Sequence, residues 1–305
     1  MKRPVFRGTA PALVTPFTAD DRVDADALRR LIDFQIEGSN GYKGVEALVV
    51  LGTTGENPTV TPEERRRIVE VAVEHAAGRV PVVIGTGTNN TAQSVQFSRE
   101  AAEAGADGLL VVGPYYNKPT PAGFLGHVAA IADATDCPII LYNVPGRTGS
   151  NLTAETQLRV AEAVPSVVGT KEASGNLNQI ADILAHRPEG LAVYSGDDDL
   201  TLPMLALGAD GLVSVIANAV PGAISELVRL GLAGAFDGAR ALHFRLLDAM
   251  RASFVEANPG PIKAVLAEMG RIEPHLRLPL VPLSEANRPR VMDAYRPHIR
   301  VAAEA

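Results

Sequence analysis

Short apolar runs rich in β-branched residues alternate along the first two thirds of the chain with longer stretches whose apolar residues recur every three or four positions. The short runs are typical of buried strands and the longer stretches of helices. The strand candidates lie at about 9–14, 46–51, 80–85, 108–112, 138–142, 166–170, 191–195 and 211–215. Eight right-handed strand–helix units close naturally into a cylinder, so the pattern predicts a (β/α)8 TIM barrel. The rival fold is a doubly wound open sheet, whose dinucleotide fingerprint the segment Gly85-Thr86-Gly87-Thr88-Asn89 resembles only weakly.

The helical stretches carry recognisable end signals. Thr61 precedes the stretch 62–77, and Glu64 follows that threonine three residues later, as in a capping box. Two further helices are predicted at 25–36 and 91–104.

The last third of the chain shows no strand signal and is predicted to be helical, at about 221–231, 235–256, 260–269 and 285–303. Proline-rich breaks separate the last three helices, at Asn258-Pro259-Gly260-Pro261 and Pro279-Leu280-Val281-Pro282. Because no long Gly/Ser linker is present, residues 232–305 are predicted to form a helical bundle packed on a barrel of residues 1–231.

Composition and charge exclude several classes of protein. With 305 residues and 46% hydrophobic content, the chain can bury a large core. The net charge of −7 and the lack of a basic stripe argue against binding nucleic acid. No signal-peptide core or bilayer-length apolar run is present, so we expect a cytoplasmic protein that does not bind membranes. The single cysteine, Cys137, and six histidines without metal-ligand spacing predict neither a disulfide nor a catalytic metal.

Lys171 is the first candidate for chemistry, since it follows the apolar run Ser166-Val167-Val168-Gly169-Thr170. Apolar surroundings disfavour an ammonium ion, and the free amine that results can attack a ketone to form a Schiff base. The alternative is a lysine that simply extends from the strand end into solvent.

In a barrel, the carboxyl ends of all strands meet on one face, so the polar residues that follow the strands should share a pocket. Together these segments supply an amine, tyrosine phenols, hydroxyls and the guanidinium of Arg147, which suits a substrate carboxylate. The triplet Asp197-Asp198-Asp199 is expected to cap the next helix rather than to bind a metal. The segments are Gly52-Thr53-Thr54-Gly55-Glu56, Gly113-Pro114-Tyr115-Tyr116-Asn117, Tyr142-Asn143-Val144-Pro145-Gly146-Arg147-Thr148-Gly149, Thr170-Lys171-Glu172, Ser195-Gly196-Asp197 and Val213-Ser214.

These runs resemble the signature sequences of the dihydrodipicolinate synthase/N-acetylneuraminate lyase family. The resemblance covers nearly the whole chain, and its C-terminal part is similar to the synthase branch in particular. The runs that carry it are Gly52-Thr53-Thr54-Gly55-Glu56, Tyr142-Asn143-Val144-Pro145-Gly146-Arg147, Gly169-Thr170-Lys171-Glu172, Ser195-Gly196-Asp197-Asp198, Asn258-Pro259-Gly260-Pro261-Ile262-Lys263 and Arg277-Leu278-Pro279-Leu280-Val281-Pro282-Leu283.

The resemblance implies an enzyme that condenses pyruvate with L-aspartate 4-semialdehyde to 4-hydroxy-tetrahydrodipicolinate, without metal or organic cofactor. Lys171 would form the imine with pyruvate, and Tyr142 would donate and accept protons beside it. Thr53 would hydrogen-bond Tyr142, and Tyr116 would connect this relay to solvent in a neighbouring subunit's site.

By the same resemblance, four residues would bind the substrates. Thr54 and Val213 would hold pyruvate, the first by its hydroxyl and amide, the second by its main chain. Gly196 would leave space for backbone approach, and Arg147 would receive the carboxylate of the semialdehyde. The assembly implied is a homotetramer, a dimer of dimers.

Two other functions stay open at this stage. One is a class I aldolase or dehydratase for a sugar-derived 2-keto acid, including an N-acetylneuraminate lyase-like activity. The other is a keto-acid binder without turnover, although such a protein has no need of an amine together with a complete proton relay. Lysine-sensitive members of the family carry a glutamate near the position of Gln93, so we expect weak or absent inhibition by lysine.

Overall fold

The computed structural model of the chain describes residues 3–299. Its strands are β1 (Gly8–Pro11), β2 (Leu48–Val50), β3 (Val82–Gly85), β4 (Gly108–Val112), β5 (Ile139–Asn143), β6 (Val167–Glu172), β7 (Ala192–Ser195) and β8 (Gly211–Ser214). All pair in parallel in one sheet of order β1-β8-β7-β6-β5-β4-β3-β2. Leu13 N–H donates to the Val49 carbonyl at 2.9 Å and brings the ends of β1 and β2 together. The sheet is thus a nearly closed (β/α)8 barrel, which confirms the predicted fold.

Helices surround the barrel. They are α1 (Ala25–Glu37), α2 (Pro62–Ala76), α3 (Thr91–Glu103), α4 (Pro121–Ala132), α5 (Pro145–Thr148), α6 (Ala154–Ala163), α7 (Leu177–His186), α8 (Thr201–Ala206), α9 (Pro221–Leu232), α10 (Phe236–Ala252), α11 (Gly260–Glu268) and α12 (Arg288–Tyr295). The capping box predicted for α2 is confirmed, because Thr61 and Glu64 each accept a hydrogen bond from the other's backbone N–H.

The barrel interior is filled by side chains and is closed near the amino ends of the strands. Tyr194 on β7 is fully buried, stacks on Phe6 with ring centroids 4.3 Å apart, and donates its hydroxyl proton to the Phe6 carbonyl at 2.7 Å. Burial raises the pKa of Tyr194 well above its usual range. The opposite end, at the carboxyl ends of the strands, is where a ligand can enter.

The helices after the last strand follow the predicted order, but the last three of them are shorter than predicted. The helix expected at 235–256 ends at Ala252, and α12 covers only part of the predicted 285–303, of which residues 300–303 lie outside the described residues. Helix α10 packs on α9, and α12 packs on α10 and α11. The division into a barrel of residues 1–231 and a bundle of 232–305 stays a prediction, and residues 300–305 of that bundle are likewise not described. None of the helices within 3–299 is long and apolar enough to cross a bilayer.

Candidate active site

A cavity of about 200 Å³ opens at the carboxyl ends of the strands. Three of the segments picked out from the sequence contribute to it, since Thr53, Tyr115, Tyr142 and Arg147 line its polar part. Leu110 and Val112 of β4 contribute to the apolar part. A small cavity with apolar walls and few polar groups is typical of a binding site for a small organic molecule.

Lys171 lies beside this cavity and is buried. Its side chain is 6% exposed, so it does not extend into solvent as the alternative interpretation required. The residue pairs with Tyr142 across β5 and β6, and its Nζ lies 4.1 Å from the centroid of the Tyr142 ring. Tyr142, which lines the cavity, therefore links the amine to it.

Because Gly196 has no side chain, the Lys171 side chain can pack directly against it. A Cβ atom at this glycine would lie 3.1 Å from Cε of Lys171 and 2.5 Å from Cβ of Ala173. Any larger residue would displace the lysine or the chain around Ala173. The structure thus places Gly196 next to Lys171, as the pattern of strand ends predicted.

The two threonines after β2 lie in a single 3₁₀ turn, Thr53–Gly55, but face different partners. Thr53 lines the cavity, whereas Thr54 is buried and its Oγ1 accepts a hydrogen bond from Nδ2 of Asn258 at 2.9 Å. Asn258 belongs to the proline-rich break between α10 and α11. Sequence reasoning gave this residue no role.

The remaining predicted site residues are more dispersed. Arg147, on the short helix α5, is exposed and lines the cavity. Val213 is buried in the barrel interior, in the same cluster of side chains as Tyr142. Tyr116 is 87% exposed, adopts a positive φ of 70°, and does not line the cavity, whereas its neighbour Tyr115 does. A single subunit therefore does not bring Tyr116 to the site.

Glu172, next to Lys171 on β6, is fully buried in a cage of amide donors. Its carboxylate accepts hydrogen bonds from Asn143 at 2.9 Å, Gln157 at 2.8 Å and Gln179 at 3.0 Å, and from the Ser174 backbone at 3.0 Å. Because adjacent strand residues point to opposite faces, this cage lies outside the barrel wall while Lys171 points inward. The cage fixes β6 against β5 and the outer helices, and so holds the lysine in register with Tyr142.

The acidic triplet after β7 does not behave as the sequence suggested. No side chain caps the 3₁₀ helix that begins at Asp198 or helix α8 that follows it, so the capping prediction was wrong. Asp198 instead accepts hydrogen bonds from the Ser214 hydroxyl, the Val215 N–H at 3.0 Å and the Ile216 N–H at 3.2 Å, which fixes the turn after β8. Burial raises the pKa of Asp198 to about 6 in spite of these bonds. Within residues 3–299, no group of three His, Cys, Asp or Glu side chains could hold a metal ion.

Comparison with known proteins identifies the family of the chain. Residues 5–297 match the model of the dihydrodipicolinate synthetase family. The chain belongs to this family. A curated relative from Salinibacter ruber, named 4-hydroxy-tetrahydrodipicolinate synthase, is 63% identical over 293 residues, which are 95% of each chain. A relative of the same name from Maridesulfovibrio salexigens is 48% identical over 286 residues, 94% of this chain and 96% of its own.

The fold agrees equally well with solved members of the dihydrodipicolinate synthetase family. The crystal structure of dihydrodipicolinate synthase from Thermotoga maritima superposes with a TM-score of 0.93 at 42% identity, covering 97% of this chain and 99% of the other. The resemblance found in the sequence is thereby confirmed.

In this family member, a buried ion pair that the sequence did not reveal ties the threonine turn to the C-terminal helices. Lys263 on α11 contacts the Glu56 carboxylate, and both side chains are completely buried. The Arg277 N–H also donates to Glu56 at 3.0 Å, and Lys263 donates to the His275 carbonyl at 2.9 Å. Burial lowers the pKa of Lys263 to about 8, while Glu56 acts in the opposite direction. Both partners lie in motifs that the sequence analysis singled out, but nothing in the sequence pairs them.

Proposed function

We infer that this chain catalyses the condensation of pyruvate with L-aspartate 4-semialdehyde to 4-hydroxy-tetrahydrodipicolinate. The observation that carries this inference is the buried Lys171 amine beside the Tyr142 ring, at a cavity sized for a small molecule. The two curated relatives share this activity in their names. No observation on the site favours a sugar-derived 2-keto acid or a binder without turnover.

The chemistry starts with attack of the Lys171 Nζ on C2 of pyruvate, followed by loss of water to give an imine. Loss of a proton from C3 converts the imine to an enamine, with the imine nitrogen taking up the electron pair. The enamine carbon then attacks the aldehyde, forming the new C–C bond and leaving the aldehyde oxygen as a hydroxyl group. Finally the amine of the semialdehyde replaces Lys171 at C2 and closes the ring, which frees the enzyme.

The proton transfers require a group within hydrogen-bond reach of the imine, and Tyr142 is the residue best placed for them. Thr53, which lines the same cavity, supports the Tyr142 hydroxyl in this proposal. Tyr116 is exposed and does not line its own cavity, so in this proposal it serves the site of a neighbouring subunit. We therefore propose a homotetramer built as a dimer of dimers, and we retain the cytoplasmic location expected from the sequence.

Substrate binding is divided among four residues. Thr54 binds the pyruvate carboxylate through its hydroxyl and amide, and Val213 contacts pyruvate through its main chain. Gly196 keeps the space beside Lys171 open. Arg147, exposed at the cavity, binds the carboxylate of the semialdehyde through its guanidinium group.

A coupled assay for pyruvate-dependent consumption of aspartate 4-semialdehyde tests the overall reaction. We expect turnover in the wild type and a large loss in Arg147→Ala, whereas Arg66→Ala, which removes an exposed arginine on α2, should behave as wild type. Turnover that is equal in wild type and Arg147→Ala would contradict the role of Arg147.

Borohydride reduction with pyruvate tests the covalent step separately. A pyruvate-derived mass should appear on the peptide that contains Lys171, and Lys171→Met should abolish it. A folded wild type without this adduct would refute the Schiff-base mechanism.

A further inference from the structure

Asn258 is the one side chain from beyond the barrel that donates a hydrogen bond to the hydroxyls of the threonine turn, among the residues that the structure describes. Its Nδ2 lies 2.9 Å from Oγ1 of Thr54, 204 positions away along the chain. Both side chains are buried, at 4% and 3% exposure. The helical extension therefore reaches the turn that borders the cavity.

The chemistry of the two groups fixes the direction of this hydrogen bond. An amide NH₂ group only donates, so Thr54 Oγ1 is the acceptor. A hydroxyl also carries one proton of its own, and no residue within 3–299 accepts the Thr54 proton. The contact with Asn258 thus leaves the Thr54 hydroxyl with a proton that it can donate to a bound ligand.

The other end of the Asn258 amide argues against a role in packing alone. Its Oδ1 is buried and receives no hydrogen bond from the described residues. A buried acceptor without a partner is destabilising, and an apolar residue of similar shape would avoid that penalty. The hydrogen bond from Nδ2 to Thr54 is therefore the contact that accounts for an asparagine at this position.

We propose that Asn258 is a positioning residue, which orients the Thr54 hydroxyl so that its proton points to the carboxylate of bound pyruvate. The proposal rests on the proposed function, because that function assigns the pyruvate carboxylate to Thr54. The C-terminal extension then completes the substrate site in two ways. Asn258 orients the Thr54 hydroxyl, and the contact of Lys263 with Glu56 holds the end of the threonine turn.

Steady-state kinetics of Asn258→Leu test the proposal, since leucine keeps the shape and removes the donor. We expect the KM for pyruvate to rise ~10-fold, as for loss of one hydrogen bond to a charged group, with kcat and the KM for the semialdehyde within about 2-fold of wild type. Asn287→Leu is the matched control, because Asn287 lies in the same extension and its Nδ2 donates to Glu256 instead. An unchanged KM for pyruvate in Asn258→Leu would overturn the proposal.

A double-mutant cycle shows whether Asn258 acts through Thr54. In a Thr54→Val background, Asn258→Leu should raise the KM for pyruvate by less than about 2-fold, since the hydroxyl it orients is already gone. If the fold-increases in the KM for pyruvate that the two single substitutions cause multiply in the double variant, the two residues act independently and the proposal fails.

Asn258→Asp provides a second variant that should fold, because it is isosteric. The carboxylate can accept the Thr54 proton, so the KM for pyruvate should rise more than in Asn258→Leu; a wild-type value would overturn the proposal.

Borohydride trapping with pyruvate alone separates the proposed function from the proposed role of Asn258. No adduct in the wild type means that the proposed function is wrong, whereas equal pyruvate dependence of trapping in wild type and both variants means that only the role of Asn258 is wrong.

Discussion

Replacing Lys263 with methionine removes the cation of a fully buried ion pair and leaves the Glu56 carboxylate without it. Methionine fills a similar volume, so the main change is electrostatic. Glu56 would keep its hydrogen bond from the Arg277 backbone, and the Lys263 bond to the His275 carbonyl would be lost. Both side chains of the pair are at 0% exposure, so water cannot easily replace the missing cation.

The expected effect on stability follows from this burial. Breaking a buried pair by removing one partner costs about 3–5 kcal/mol, because a charge is left uncompensated in a medium of low dielectric constant. A typical domain is stable by about 5–15 kcal/mol, so Lys263→Met should lose a large fraction of the free energy of unfolding. Since Glu56 ends the turn that carries Thr53 and Thr54, we also expect kcat/KM to fall.

Urea unfolding followed by far-UV circular dichroism at fixed protein concentration measures this loss, since the chain contains no tryptophan for fluorescence. The control is the double variant Glu56→Gln/Lys263→Met, which removes both charges. It should recover at least about 1 kcal/mol relative to Lys263→Met, because the unpaired charge is gone. A loss below about 1 kcal/mol in Lys263→Met, or a double variant less stable than the single one, would refute the reasoning.

Three further predictions concern other parts of the molecule. Burial lowers the pKa of His127 to about 4, and its unfolded value is about 6.5. As pH falls through this window, only the unfolded state therefore gains the proton, and acid destabilises the folded state. Between pH 8 and pH 5, the free energy of unfolding of wild type should fall by about 2 kcal/mol more than that of His127→Gln, as measured by urea unfolding. Gly196→Ala should lower kcat/KM ~100-fold with an unchanged dichroism spectrum, because its Cβ would displace Lys171; near-normal activity would contradict the close packing. Gln93→Glu should strengthen inhibition by lysine ~10-fold in the coupled assay, and a wild type already inhibited by modest lysine would count against this.

The barrel could be predicted because its signals are local. Each strand is a short apolar run between helical stretches, and the capping box at Thr61 and Glu64 lies within four residues. The carboxyl ends of the strands then place Lys171, Tyr142 and Arg147 on one face without any knowledge of tertiary contacts. Most of the candidate site follows from topology in this way.

The parts that were missed depend on contacts between distant segments. The triplet that contains Asp198 was expected to cap the next helix, but the Asp198 carboxylate holds the turn after β8, because that turn offers two backbone N–H groups and a hydroxyl in a buried position. The contact between Asn258 and Thr54 joins residues 204 positions apart. A sequence pattern shows which residues are polar, but it does not show which polar groups meet after folding.

The distant contacts also tie the C-terminal helices to the turn that carries Thr53 and Thr54. A buried ion pair adds little net stability over a well-packed apolar pair, because desolvation offsets most of the attraction. The pair of Glu56 and Lys263 is nevertheless specific, since misplacing either segment would bury an unpaired charge. That penalty falls on the turn that carries Thr53 and Thr54, so we expect the threonines to adopt their positions only when α11 is docked. We therefore expect catalytic geometry and docking of the extension to be lost together, at a lower urea concentration than the barrel helices.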